Sequence, residues 1–234
     1  MTEPTAPPQQ ATGDHALPEH ADGRRTMAFG GLEIAYDDRV LEPRPWTAQQ
    51  SRWAAELFAA APPGPVLELC SGAGHIGLLA VALEPRPLVC VDVSPVACGY
   101  ARRNAAAAGL APLVDVRQGR LEESLGTDER FAVVIADPPW VPSAETARYP
   151  DDPLLAIDGG ADGLAVARTC LGVAAAHLLP GGDLVLQLGT SDQATGLAGE
   201  SAVLRLVEVR DGERGVLARF HRDRDRQPVR KPHA

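Results

Sequence analysis

The chain has 234 residues, 45% of them hydrophobic and 23% charged, which is enough for one good-sized core and little beyond a single globular domain with tails. Its formal net charge of −9 argues against long nucleic acid as a partner, because a broad phosphate-binding face needs clustered Lys and Arg. The longest apolar runs, Val133 to Ala136 and Leu184 to Leu188, fall far short of a membrane span.

Residues 1–25 carry neither the basic start nor the apolar run of a secretory signal, and their Pro, Ala, Gly and Glu content cannot bury a core. They read as a disordered leader on a cytoplasmic protein. Residues 26–60 are expected to form an N-terminal hairpin and helix. Phe29 to Leu41 reads as two strands turning at Asp37-Asp38, and Thr47 to Ala60 as an amphipathic helix capped by Thr47.

From residue 61 to 222, short β-rich runs alternate with Ala-rich helical stretches, the pattern of a parallel sheet covered on both faces. The predicted strands are Val66 to Leu69, Leu88 to Asp92, Leu113 to Gln118, Ala132 to Asp137, Asp183 to Leu188, Val203 to Val209 and Val216 to His221. Helices are predicted at Ile76 to Leu83, Pro95 to Ala108, Glu122 to Leu125 and Gly163 to Leu179, the last stopped by Pro180-Gly181-Gly182. Arg210 to Gly215 is too short for a crossover helix, so the final two strands must pair antiparallel. The expected class is α/β: a doubly wound, seven-stranded, Rossmann-like sheet, mostly parallel and ending in an antiparallel hairpin. Residues 223–234 form a basic tail, expected to be a solvated terminus. Cys70, Cys90, Cys98 and Cys170 show no paired spacing, so neither a metal site nor a disulfide framework follows, and each reads as a small buried hydrophobe.

Two stretches have the form of a nucleoside site. Val66 to Gly77, VLELCSGAGHIG, is a strand running into a Gly-rich turn and a helix. There Gly72 and Gly74 would let backbone approach a ligand, and Glu68 could accept a hydrogen bond from an ammonium group or nearby backbone. The second stretch, VCVDVS, ends a strand with Asp92, 18 residues beyond Gly74. A carboxylate there is suited to two ribose hydroxyls, with Val93 beside it. A nicotinamide dinucleotide is disfavoured, since Cys70 stands where its fingerprint wants a first glycine.

The third stretch, FAVVIADPPWVP, ends a strand with Asp137-Pro138-Pro139-Trp140. The carboxylate of Asp137 and the carbonyl of Pro138 offer two acceptors to an NH₂ group, and Trp140 offers a flat face for a planar acceptor.

The order of these stretches resembles the HemK/PrmC protein-glutamine N5-methyltransferases, class I enzymes that use S-adenosyl-L-methionine, from about Phe29 to Phe220. VLEPRPWT (Val40 to Thr47) is similar to the family's PRPET segment, AIDGGADGL (Ala156 to Leu164) to its Gly-Gly-x-Asp-Gly-Leu run, and RDGERGVLARF to its closing hairpin. The resemblance implies cofactor contacts at Glu68, Cys70, Gly72, Gly74, Asp92, Val93, Arg120, Leu121 and Asp137. It implies acceptor binding at Asp137, Pro138, Pro139 and Trp140, and methyl transfer to a planar nitrogen, foremost a glutamine amide of a protein. This sequence departs from the family's pattern with Asp137 for Asn, Trp140 for Tyr, Cys70 for Gly, Arg120 for an acid and Trp46 for Glu. Two other readings of the residues stay open: an exocyclic amine of a nucleobase or small metabolite as acceptor, and an inactive cofactor-binding partner subunit.

Overall fold

The computed structural model describes residues 23–224. Most of the expected leader and all but the first two residues of the basic tail therefore lie outside the described residues. Arg25, assigned to the leader, instead opens a strand.

A two-stranded hairpin comes first, β1 (Arg25–Phe29) and β2 (Leu32–Tyr36), antiparallel with Phe29 opposite Leu32. It turns at Gly30-Gly31, both at positive φ, and not at Asp37-Asp38. Two adjacent glycines supply the turn conformation without a Cβ penalty, whereas Asp37 is buried after β2 and bonded to Arg39 and Tyr100. α1 (Ala48–Phe58) follows a single 3-10 turn, Pro45–Thr47. Thr47 does precede α1, but it does not cap it with its side chain: its backbone is already helical and its hydroxyl donates back to the Arg44 carbonyl at 2.8 Å.

The main sheet has seven strands, β3 (Val66–Leu69), β4 (Leu88–Asp92), β5 (Val114–Gln118), β6 (Phe131–Ala136), β7 (Leu178–Leu188), β8 (Leu204–Asp211) and β9 (Val216–Arg222). They lie in the order β5-β4-β3-β6-β7-β9-β8, parallel through β7, with β9 antiparallel to β7 and β8 antiparallel to β9. The chain winds outward from β3 in one direction and returns to β6 to wind outward in the other, so a crevice opens at the carboxyl ends of β3 and β6.

Side chains alternate along each central strand and split the core into two layers. Leu67, Leu69, Val89, Val91, Val134 and Ala136 face α5 (Ala165–His177) and α6 (Ser191–Ala198). Val66, Leu88, Cys90, Val133 and Ile135 face α1, α2 (His75–Leu83), α3 (Pro95–Ala107) and the N-terminal hairpin. A short helix, α4 (Leu154–Ile157), lies between β6 and α5.

Three expectations fail locally. Glu122 to Leu125 is a turn and not a helix. α5 stops at His177, and β7 starts at once, carrying Pro180-Gly181-Gly182 inside it. The pairing of β7 with β6 shifts register between Phe131 and Val133, and Gly181 has positive φ, so that tripeptide makes a bulge and not a helix stop. α6 is additional. Its capping box, Thr190 with Gln193, is legible in the sequence as TSDQ.

One polar side chain fastens the hairpin to the sheet's Gly-rich turn. Buried Asn104 of α3 accepts from the Ala35 N–H at 2.9 Å and donates to the carbonyls of Ala35 and Ala73, each at 3.0 Å. Asn104→Ala leaves these backbone groups without their partner in a dry site, and we expect a loss of about 2–4 kcal/mol in urea unfolding with an unchanged m-value.

Candidate active site

Two cavities open at the carboxyl ends of the parallel strands. The first, about 300 Å³, is floored by the turn after β3 (Cys70, Ser71, Gly72), by Asp92 and Val93 after β4, and by Gly119 to Glu122 after β5. Arg39, Val40, Leu41 and Arg44, leading out of the hairpin, and Pro153, Leu155 and Ala156 around α4 close it from above. The second, about 580 Å³, is lined by Trp46, Pro138, Trp140, Tyr149 and Ile157, with Glu213 and Arg214 from the β8–β9 turn. Asp137 borders both cavities, as do Leu41, Arg44 and Ala156.

In the first cavity Asp92 is half-buried. Its Oδ2 accepts from the Gly72 N–H at 2.8 Å and its Oδ1 from the Ser94 N–H at 2.9 Å. Burial raises its pKa and these backbone bonds oppose the rise. Ser94, not Asp92, caps α3, its hydroxyl accepting from the Ala97 N–H at 3.2 Å. The carboxylate thus keeps lone pairs for a ligand. Buried Ser71 also lines this cavity, its hydroxyl without a hydrogen-bond partner among the described residues, as does His75 with a buried Nδ1 in the same state. Desolvation drops the His75 pKa to about 3, so its ring is neutral. A carboxylate, an orphan hydroxyl and the apolar walls of Val93 and Leu121 suit a nucleoside that carries a polar tail. Arg120 lines the rim and is exposed, paired at 3.4 Å with Glu123.

The two glycines of the turn differ in purpose. Gly72, φ +52, faces open space, and a Cβ there would meet nothing within 4 Å. Gly74, φ +79, faces the next helix, where a Cβ would come within 3.1 Å of Ala101. Gly74 therefore serves the packing of α2 on α3.

Glu68 also lies behind the cavity wall. It is 2% exposed, accepts from the Gly77 N–H at 2.9 Å and from the Cys90 thiol at 3.3 Å, and is pushed up to about 7 by burial. Its role in this geometry is to tie the start of α2 to β3 and β4. Cys70, expected to be buried, is partly exposed to the cavity and has φ 57, the one non-glycine residue at positive φ among those described.

Asp137 follows β6 directly. Part of it faces the cavities, yet its surroundings exclude enough water to push its pKa up to about 7. No described residue donates a hydrogen bond to the carboxylate or to the Pro138 carbonyl. Asp137 lines both cavities and Pro138 the second. Below them Gln50 of α1, fully buried, donates to the Ala136 carbonyl at 2.9 Å and the Val185 carbonyl at 3.1 Å, locking the ends of β6 and β7. Trp140 is held from behind: a Cβ at Gly189 would stand 2.7 Å from its ring, and Gln193 anchors that turn by accepting from the Gly189 N–H at 2.8 Å.

The AIDGGADGL run clamps the same segment. Val141 donates to the Ile157 carbonyl at 3.0 Å and accepts from the Gly159 N–H at 2.8 Å, and Ser143 donates to the Gly160 carbonyl at 2.9 Å. Residues 137–143 are thereby fixed against the helices that follow. No local pattern marks Arg39, Leu155 or Tyr149, which meet the site only through the fold, while Leu41, Ala156, Glu213 and Arg214 fall in stretches noted for their family resemblance without a site role assigned to them there.

A match to the methyltransferase small domain family spans residues 49–149. The release factor glutamine methyltransferase of Deinococcus radiodurans is 35% identical over 182 residues, covering 76% of this chain and 63% of that protein. The chain thus carries a methyltransferase domain and resembles the glutamine methyltransferases over most of its length. The ribosomal protein uL3 glutamine methyltransferase of Bradyrhizobium diazoefficiens is 33% identical over 200 residues, covering 80% of this chain and 62% of that protein. The chain thus spans less than two thirds of the length of these relatives. In fold it also matches an RNA methyltransferase from Salinibacter ruber crystallised with S-adenosyl-L-homocysteine, at a TM-score of 0.54 and 20% identity over 81% of this chain and 97% of that one. No helix among the described residues is long and apolar enough to cross a membrane, and no group of His, Cys, Asp and Glu among them could hold a metal.

The shifted pKa of Asp137 has a stability consequence. The folded protein holds this proton up to about pH 7, whereas the unfolded chain releases it near the ordinary aspartate value, so the stabilisation is complete below that value and is lost as pH rises through about 7. Asp137→Asn removes the loss. Thermal unfolding should find the variant more stable than the parent by on the order of 2 kcal/mol near pH 8 and close to it near pH 4.

Proposed function

We propose that this protein transfers a methyl group from S-adenosyl-L-methionine to a planar amide nitrogen, the side chain of a glutamine in a protein acceptor. The observation that carries the reading is Asp137, whose free carboxylate stands in the wall common to the two cavities. The names of the relatives, which act on a release factor and on ribosomal protein uL3, support a protein acceptor in the cytoplasm.

When bound, the cofactor supplies an electrophilic methyl on a sulfonium. Asp92 would hold the ribose hydroxyls, the Ser71 hydroxyl the polar tail, and Val93 with Leu121 the base. On the other side Asp137 and the Pro138 carbonyl accept the two hydrogens of an NH₂ group and aim its nitrogen across the wall. The carboxylate offsets positive charge that grows on the nitrogen, and its weak hydration makes that compensation stronger than in water. Trp140 and Trp46 bound the plane in which an amide can lie. Positioning and electrostatics account for catalysis without a covalent intermediate.

Incubation with labelled S-adenosyl-L-methionine, a release factor and ribosomal protein uL3 tests the acceptor: label should appear on glutamine, and label confined to RNA or small molecules would overturn the reading. Asp92→Ala should weaken cofactor binding by about 1–3 kcal/mol in calorimetry. Asp137→Ala should keep that affinity within about tenfold while losing most turnover. Asp137→Asn separates acceptors further: an amide oxygen still accepts from NH₂, so measurable activity is expected with glutamine, whereas an amine acceptor that needs the charge would leave it as low as the alanine variant.

A further inference from the structure

No cysteine carries the chemistry of the proposed transfer, although Cys70 lines the cofactor cavity, and two of the four meet. The sulfurs of Cys70 and Cys170 lie 4.0 Å apart although the residues are 100 positions apart in the chain. Cys170 is buried in α5, while Cys70 is partly exposed in the turn that floors the first cavity. The backbone at Cys70 is left-handed, φ 57, a conformation disfavoured for a residue with a Cβ and one that a glycine would adopt freely. A side chain kept at such a position, in contact with a second thiol and open to small molecules from one side, has the three elements of a disulfide-forming pair.

We propose that Cys70 and Cys170 are a reversible thiol–disulfide site in the wall of the cofactor cavity, and that oxidation there weakens cofactor binding. The first half stands on the sulfur geometry alone; the second rests on reading the cavity as the cofactor site. With a peroxide as oxidant, the Cys70 sulfur attacks one peroxide oxygen, forming S–O and breaking O–O, and the thiol proton leaves with the other oxygen as water. The Cys170 sulfur then attacks the Cys70 sulfur, forming S–S and breaking S–O, and its proton departs with the hydroxide as a second water. Two thiols supply the two electrons.

Closing the bond brings the sulfurs from 4.0 Å to about 2.05 Å. That displacement must be taken up where the chain can yield, by the turn from Cys70 to Gly72 or by α5, whose Val166 and Thr169 line the same cavity. The Gly72 N–H to Asp92 hydrogen bond at 2.8 Å joins the turn to the ribose residue, so a shift of the turn disturbs Asp92, and a shift of α5 alters the cavity wall at Val166 and Thr169. The contact with the Cys170 thiol, then burial and the carboxylates of Asp92 and Asp137, hold the Cys70 thiol well above its usual range. Oxidation should therefore be slow near neutral pH and accelerate as the solution is made alkaline. A ligand in the cavity covers Cys70 and should slow it further.

The test uses the reduced full chain exposed to hydrogen peroxide with and without S-adenosyl-L-homocysteine, blocked with an alkylating agent and digested without reductant. A Cys70–Cys170 linked peptide is expected, removed by dithiothreitol, less abundant with the ligand present, and absent in Cys170→Ala. Calorimetry should show ligand affinity at least about tenfold weaker after oxidation of the parent, and no change in Cys170→Ala, whose reduced affinity should equal the parent's. Absence of the linked peptide in ligand-free protein would overturn the pairing, and a linked protein with undiminished affinity would overturn its effect on binding. If the reduced protein binds no ligand at all, the cofactor reading fails and the effect on binding falls with it, while the peptide still decides the pairing.

Discussion

A single register at the centre of the sheet determines where everything else in the site can be. Leu69 pairs with Val91 on one side and with Ala136 on the other, so the next residues, Cys70, Asp92 and Asp137, stand at the same level at the sheet's carboxyl edge. Neighbouring strands stand about 4.8 Å apart, and three separate stretches of sequence therefore deliver their chemistry to one crevice. A slip of one residue in β4 or β6 would turn Asp92 or Asp137 toward the other face of the sheet.

The carboxylates at that edge experience very different surroundings. Glu68, one residue inside the sheet, spends its hydrogen bonds on Gly77 and Cys90 and braces the scaffold. Asp92, at the edge, organises two backbone N–H groups and keeps room for a ligand. Asp137, at the same level, has no partner from the described residues and a raised pKa. The residue left unsatisfied is the one placed between two cavities, which is the arrangement expected where a polar group is kept for a substrate and not for stability.

Support for Asp137 comes from every direction. Gln50 fixes the strand ends beneath it, the loop after α4 grips Val141 and Ser143 beyond it, and the start of α6 backs Trp140 through Gly189 and Gln193. These contacts explain why a run as ordinary as AIDGGADGL matters to the site beyond the cavity lining that Ala156 and Ile157 supply. Each glycine or turn in it permits an approach that a larger residue would block.

The sequence alone determined the sheet and the three stretches that meet at its edge, because buried parallel strands are written as short apolar runs and each stretch sits at the end of one. It also determined the antiparallel ending, since Arg210 to Gly215 leaves no length for a crossover. Tertiary structure decided what the pattern does not encode. The hairpin turned at Gly30-Gly31 once Asp37 was claimed by Arg39 and Tyr100, and β7 absorbed Pro180-Gly181-Gly182 as a bulge because its neighbour β6 offered a ladder to join. Glu68 and Gly74 were drawn into packing by α2 and α3, which no spacing within the motif foretells. The roof of the first cavity, the aromatic lining of the second and the meeting of Cys70 with Cys170 join residues far apart in the chain, and contacts of that kind arise only when separate elements are folded against one another.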